Sequence, residues 1–128
     1  MRAFQLTRLV VDADGHTDFV DDELPFDRQM HAPPAEPAGL AHLGEAEAVS
    51  VMRADRDWGG EAFHPAPRRQ LLTVIAGAWH VTTSRGTERT FRVGESLLVE
   101  DVSGPGHSSR ALEDGSMALV TVLPDRQL

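Results

Sequence analysis

The chain has 128 residues and a mass of 14.0 kDa, room for one compact domain. Hydrophobic residues make up 41%, and with 11 glycines beside them the composition is that of a globular domain rather than a disordered one. Twenty acidic residues against 12 basic ones give a net charge of −8, which repels phosphate backbones and anionic lipid, so neither nucleic acid nor a membrane surface is an expected partner.

The missing residue types narrow the chemistry. No Cys is present, which excludes disulfides, thiolate zinc sites and a Cys nucleophile. No Lys is present, which excludes a Schiff base and a P-loop lysine. Tyr and Asn are also absent. Six His, many carboxylates, Arg, Ser, Thr and Gln remain. Arg as the only basic side chain, with abundant Ala, suggests a GC-rich bacterial source. No apolar run reaches the roughly 18–20 residues of a membrane helix. The N-terminus lacks the basic-then-apolar pattern of a signal peptide, so the cytoplasm is the expected location.

In chain order, residues 3–11 (AFQLTRLVV) read as a first strand ended by Asp12–Gly15. Residues 21–47 hold Pro25, Pro33, Pro34 and Pro37 and read as an irregular arm or cover. Residues 1–47 are therefore expected to be an N-terminal strand plus a Pro-rich arm, and 48–128 a β-barrel, within one structural domain. Alternation resumes at Ala48–Arg53. Leu71–Ile75, Ala78–Ser84, Arg89–Val93 and Ser96–Glu100 follow as strands, separated by Gly-containing turns. Arg110–Glu113 is a short candidate, and Met117–Leu123 is the last strand, closed by Pro124. Short strands at roughly 8–12-residue spacing predict an all-β sandwich or closed barrel. No segment after residue 48 carries a helical apolar stripe.

Two stretches carry the candidate chemistry. The first is Trp58-Gly59-Gly60-Glu61-Ala62-Phe63-His64-Pro65-Ala66-Pro67-Arg68-Arg69-Gln70, leading through a strand to Gly77. The second is Gly94 to His107, with Gly104-Pro105-Gly106 before the His. In spacing they resemble the two motifs of the cupin superfamily. The first motif's two His, acidic residue and Gly fall on His64, Ala66, Gln70 and Gly77. The second falls on Gly94, the Gly-Pro-Gly turn and His107, with about two extra residues before the His.

The resemblance implies a jelly-roll barrel of two antiparallel sheets with the site in its mouth. It implies catalytic roles for His64 and His107. It also implies one divalent metal (Zn, Fe, Ni, Mn or Cu) on His64, Gln70 and His107, a ligand set with two of the usual donors replaced. Glu100 or Asp101 would be the source of any carboxylate. With that metal the implied chemistry is a metal-assisted oxygenase or lyase; metal-independent isomerisation, cyclisation or epimerisation is the other course, with a His moving protons and Gln70 bonding a carbonyl.

Strand parity puts Gln70, Leu72 and Val74 on one face, and points Arg68 towards the site as an anion clamp. Trp58 and Glu100 complete the candidate substrate contacts. Each candidate also has a plainer reading. His64 and Trp58 would be rim residues, His107 a solvated turn residue, Gln70 a strand-end cap, Arg68 a surface charge and Glu100 a strand end. His80, between Trp79 and Val81, reads as structural. The functional expectation is an enzyme acting on a small organic molecule, with a non-catalytic binding or sensing module as the alternative. A homodimer is expected, because small jelly rolls leave sheet edges to cover.

Overall fold

The computed structural model describes residues 3–125. Eleven strands form: β1 (Ala3–Val11), β2 (Thr17–Pro25), β3 (Asp27–Gln29), β4 (Ala38–Leu40), β5 (Ala48–Ala54), β6 (Gln70–Ala76), β7 (Ala78–Thr83), β8 (Glu88–Arg92), β9 (Ser96–Val99), β10 (His107–Ala111) and β11 (Ser116–Val122). The all-β expectation holds, and no helix long and apolar enough to cross a membrane occurs among the described residues.

Six strands form one sheet in the order β2-β1-β9-β6-β11-β5, and β10-β7-β8 form a second. A small β3-β4 ladder stands apart. The larger sheet is mixed, because β1 runs parallel to β9 while its other pairs are antiparallel. This differs from the two antiparallel sheets expected. A parallel pair needs a long crossover, and here most of the chain lies between its two strands.

The two large sheets enclose one core. Leu9, Val74, Leu97, Val99 and Ala118 come from the larger sheet, and Trp79, Val81, Phe91 and Ala111 from the smaller. Strand alternation sends the other residue set outward. On β5, Met52 packs on the core while Val49 and Val51 are exposed. On β1, Leu9 enters this core while Leu6 joins Leu98 and Leu123 in a second apolar cluster.

Two stretches differ from the sequence reading. Residues 21–25 belong to β2, which pairs with β1 along its full length, rather than to an irregular arm. The acidic run Asp21-Asp22-Glu23 and Pro25 suit this strand because it is the sheet's edge. Charges and a missing donor are tolerated there. The strand expected at Arg110–Glu113 starts earlier, at His107, and ends at Ala111. His107 is thus a strand residue paired with Thr83 rather than a turn residue.

Candidate functional site

The site begins with a backbone contact. His64 N donates to His107 O at 3.0 Å, and His107 N donates to His64 O at 3.1 Å. This is an isolated antiparallel bridge between the segment before β6 and the first residue of β10. Residues directly opposite in such a bridge share a face, and the two imidazole centroids lie 5.3 Å apart at 52°. Two residues further on, Ala66 N donates to Asp101 O at 2.9 Å. Donors at 64 and 66 alternate with Pro65 and Pro67, which have none. The prolines therefore interrupt no bond of this short ladder.

Gly106 makes the close approach possible. It has φ +75, and a Cβ there would overlap the His64 carbonyl and the Pro65 nitrogen. Its own carbonyl accepts from Thr17 Oγ1 at 2.7 Å, and Thr17 is fully buried. The turn is thus held from one side by β2 and from the other by the His64 segment.

His64, Gln70, His107 and Trp58 line one cavity of about 360 Å³. Met52, Leu72, Val99 and Val120 form its apolar wall. Behind it lies a smaller lobe of about 40 Å³, lined by Val74, Trp79, Val81, Phe91, Leu97 and Ala118, which shares Met52, Leu72, His107 and Ser109 with the outer cavity. Among the described residues, no Asp, Glu or Arg lines either space. The face expected from parity is borne out, with Gln70 and Leu72 in the outer cavity and Val74 deeper.

Trp58 sits at the rim, 51% exposed, with its ring edge-on to Trp79 at 6.1 Å and 83°. Its loop is stitched to β10, since Asp57 N donates to Ala111 O at 2.8 Å and Ala111 N donates to Trp58 O at 3.1 Å.

Of the two carboxylates that the sequence offered, Asp101 is the one at the site. It is fully buried, and its Oδ2 lies 2.5 Å from His107 Nδ1. The second oxygen, Oδ1, has no hydrogen-bond partner among the described residues. A carboxylate at Nδ1 holds that nitrogen as the donor and leaves Nε2 to act as acceptor or base. His64 Nδ1 lies 3.1 Å from the Pro65 carbonyl oxygen, which has the same orienting effect in weaker form. Backbone alternation separates Asp101 from its neighbour Glu100. Asp101 turns to His107, and Glu100 turns away from it to Arg8 and Arg69.

Two expected contacts lie elsewhere. Arg68 pairs with Glu47 at 2.7 Å and is not among the cavity's lining residues. The chain bends at Pro67–Arg68, so parity carried from Gln70 does not reach it. Glu100 is held between Arg8, at 2.7 Å, and Arg69, at 2.9 Å, and it too is absent from the lining.

The donors present decide whether a metal fits. The cavity offers two imidazoles and one amide, and Ala66, at the motif's second His position, is a buried core residue without a donor. No group of three or more His, Asp or Glu is placed to hold a metal ion among the described residues. Two neutral imidazoles and an amide bring no charge to offset a divalent ion, so this donor set does not fit one as a resident cofactor. No protein-family model matches the chain, and no match is found among curated proteins.

Proposed function

We propose that this protein is a small cupin-like barrel enzyme that moves a proton on a small, mainly apolar carbonyl compound, in an isomerase-type reaction. The observation that carries the reading is the buried Asp101–His107 pair opening, beside His64, onto a cavity without charged side chains. In this reading His107 Nε2 takes a proton from carbon next to the carbonyl. Asp101 stabilises the imidazolium that forms, and that imidazolium returns the same proton at a second carbon, which regenerates neutral His107; His64, its Nδ1 facing the Pro65 carbonyl, lines the cavity beside it. Gln70 donates an amide N–H to the carbonyl oxygen. No net proton is gained or lost. Positioned acid–base catalysis of this kind contributes roughly 10²–10⁴-fold.

The test is proton NMR in D₂O with cyclohexanone and 2-cyclohexenone as probes. The wild type is expected to speed deuterium incorporation next to the carbonyl above the buffer rate, and His107→Asn to remove the acceleration. Saturable binding of the probes without any acceleration would overturn the catalytic reading. It would favour a non-catalytic binding or sensing module, a reading that the donorless Ala66 supports.

The net charge of −8 supports a small-molecule partner over nucleic acid or a membrane surface. A homodimer belongs to the same proposal. It is supported by β5, an edge strand with Val49 and Val51 61% and 55% exposed. Sedimentation of a sharp monomer at micromolar concentration would count against it.

A further inference from the structure

The strand that supplies His107 to the cavity supplies its alternate residues to the opposite face of the smaller sheet. There Ser108, Thr82 and Glu88 lie in one register row across β10, β7 and β8, and Arg110, His80 and Thr90 in the next. The loop before His64 folds over this face. Gly60, Glu61 and Phe63 form one wall of a cleft of about 310 Å³, and His80, Thr82, Glu88, Ser108 and Arg110 line the rest.

The cleft contains donors that the protein does not use. Arg110 Nε is buried without a hydrogen-bond partner among the described residues. The side chains of Ser108 and Thr82 also have none among the described residues, although Ser108 is only 7% exposed. His80, by contrast, is satisfied at both nitrogens, with Nε2 2.8 Å from Glu88 and Nδ1 3.1 Å from Thr90 Oγ1. A guanidinium and two hydroxyls side by side on adjacent strands match the oxygens of a carboxylate. An unpartnered, partly buried guanidinium gains from such an acceptor, because its desolvation is otherwise uncompensated.

The remaining charges decide the rest of the ligand. Glu61 and Glu88 also line the cleft, so a plain anion meets two carboxylates against one Arg. A plain cation meets Arg110. A molecule with a carboxylate at one end and an ammonium at the other satisfies both. Glu88 lies directly opposite Thr82 on the next strand, roughly 5 Å away at the backbone, so an ammonium next to a carboxylate docked at Thr82 reaches it. We propose that this cleft is a second binding site, distinct from the two-histidine cavity, and that its ligand is a free amino acid. The carboxylate docks on Arg110, Ser108 and Thr82, and the ammonium faces Glu61 and Glu88.

The experiment is an NMR titration of the full chain, following the Arg110 Nε–H and the backbone amides of Ser108 and Glu61. The probes are the L-amino acids, with acetate and methylammonium as single-charge fragments. At least one amino acid is expected to give saturating shifts, and both fragments to bind at least tenfold more weakly. Arg110→Gln is expected to weaken binding tenfold or more, and Arg110→Lys less. Glu61→Gln should weaken the amino acid and leave acetate unaffected. Should Arg110→Gln not fold, Thr82→Val and Arg110→Lys carry the same comparison. No saturation with any amino acid, unchanged affinity in the Arg110 variants, or acetate binding as tightly as an amino acid would overturn the proposal.

Discussion

His64 and His107, 43 positions apart in sequence, face each other through two reciprocal backbone hydrogen bonds of 3.0 and 3.1 Å. The bridge fixes the spacing of the two imidazoles without any contact between the rings' nitrogens. It depends on a glycine at 106, because the His64 carbonyl occupies the space a side chain would need.

Gly106→Ala is therefore expected to cost about 2–3 kcal/mol, from the left-handed backbone and the overlap together. Gly86→Ala is the control. Its φ is +87 and nothing lies within 4 Å of the added carbon, so only the backbone cost of about 1 kcal/mol applies. Urea denaturation of both variants checks the difference, and equal losses would contradict the close approach.

Asp101 is expected to separate stability from chemistry. Asp101→Ala leaves the buried His107 Nδ1 without its acceptor and should cost about 2–3 kcal/mol in chemical denaturation. Asp101→Asn keeps an acceptor oxygen but removes the charge that stabilises an imidazolium. Most of the stability should return, while deuterium exchange on the carbonyl probes falls by roughly 10²-fold or more. A variant with full exchange activity would show that the carboxylate is only structural.

Trp58 and Trp79 are the chain's two tryptophans, and both line the cavity system. Intrinsic fluorescence should therefore change saturably as a small apolar ketone enters. Trp58→Ala removes the rim ring and its edge-on contact with Trp79. It is expected to weaken binding by about 1 kcal/mol, roughly fivefold, as read from the Trp79 emission that remains. An unchanged affinity would place the ligand away from the rim.

The hydrogen bond from Arg85 holds the Asp12 carboxyl below its ordinary value of 3.8, and that from Arg89 does the same for Asp21. A carboxyl lowered in the folded state stabilises the fold above the unfolded value, and the contribution is lost as pH falls through the folded one. Asp12→Asn and Asp21→Asn should therefore flatten the decline of stability between about pH 5 and pH 2. Because Asp21 is exposed and Asp12 partly so, the effect should be small and should shrink in high salt. Denaturation midpoints of wild type and double variant across that range test it. A wild-type curve no steeper than the variant's would contradict the sign.

Much of this architecture was legible in the residues themselves. β1 and β5–β9 announce themselves by alternation and by Gly at their ends, and the spacing of His64, Gln70 and His107 brought forward three side chains that line one cavity. β2 was not legible, because Asp21-Asp22-Glu23 and Pro25 describe a loop unless the strand is known to lie at a sheet edge. Asp101 was legible only as one of two carboxylate sources, not as the partner of His107. Its role depends on how the 102–106 turn returns the chain to its carboxylate, which no local pattern encodes. Arg68 was drawn inward by parity, but its partner Glu47 lies 21 residues away and becomes a neighbour only after folding.

The most direct test of the central claim is a nitrogen-15 NMR titration of the imidazoles with 2-cyclohexenone. The Nε2 signals of His64 and His107 are predicted to shift together, with one dissociation constant, while His80 on the opposite sheet face stays still. Independent shifts at the two, or none at either while the ligand binds, would contradict a shared two-histidine site.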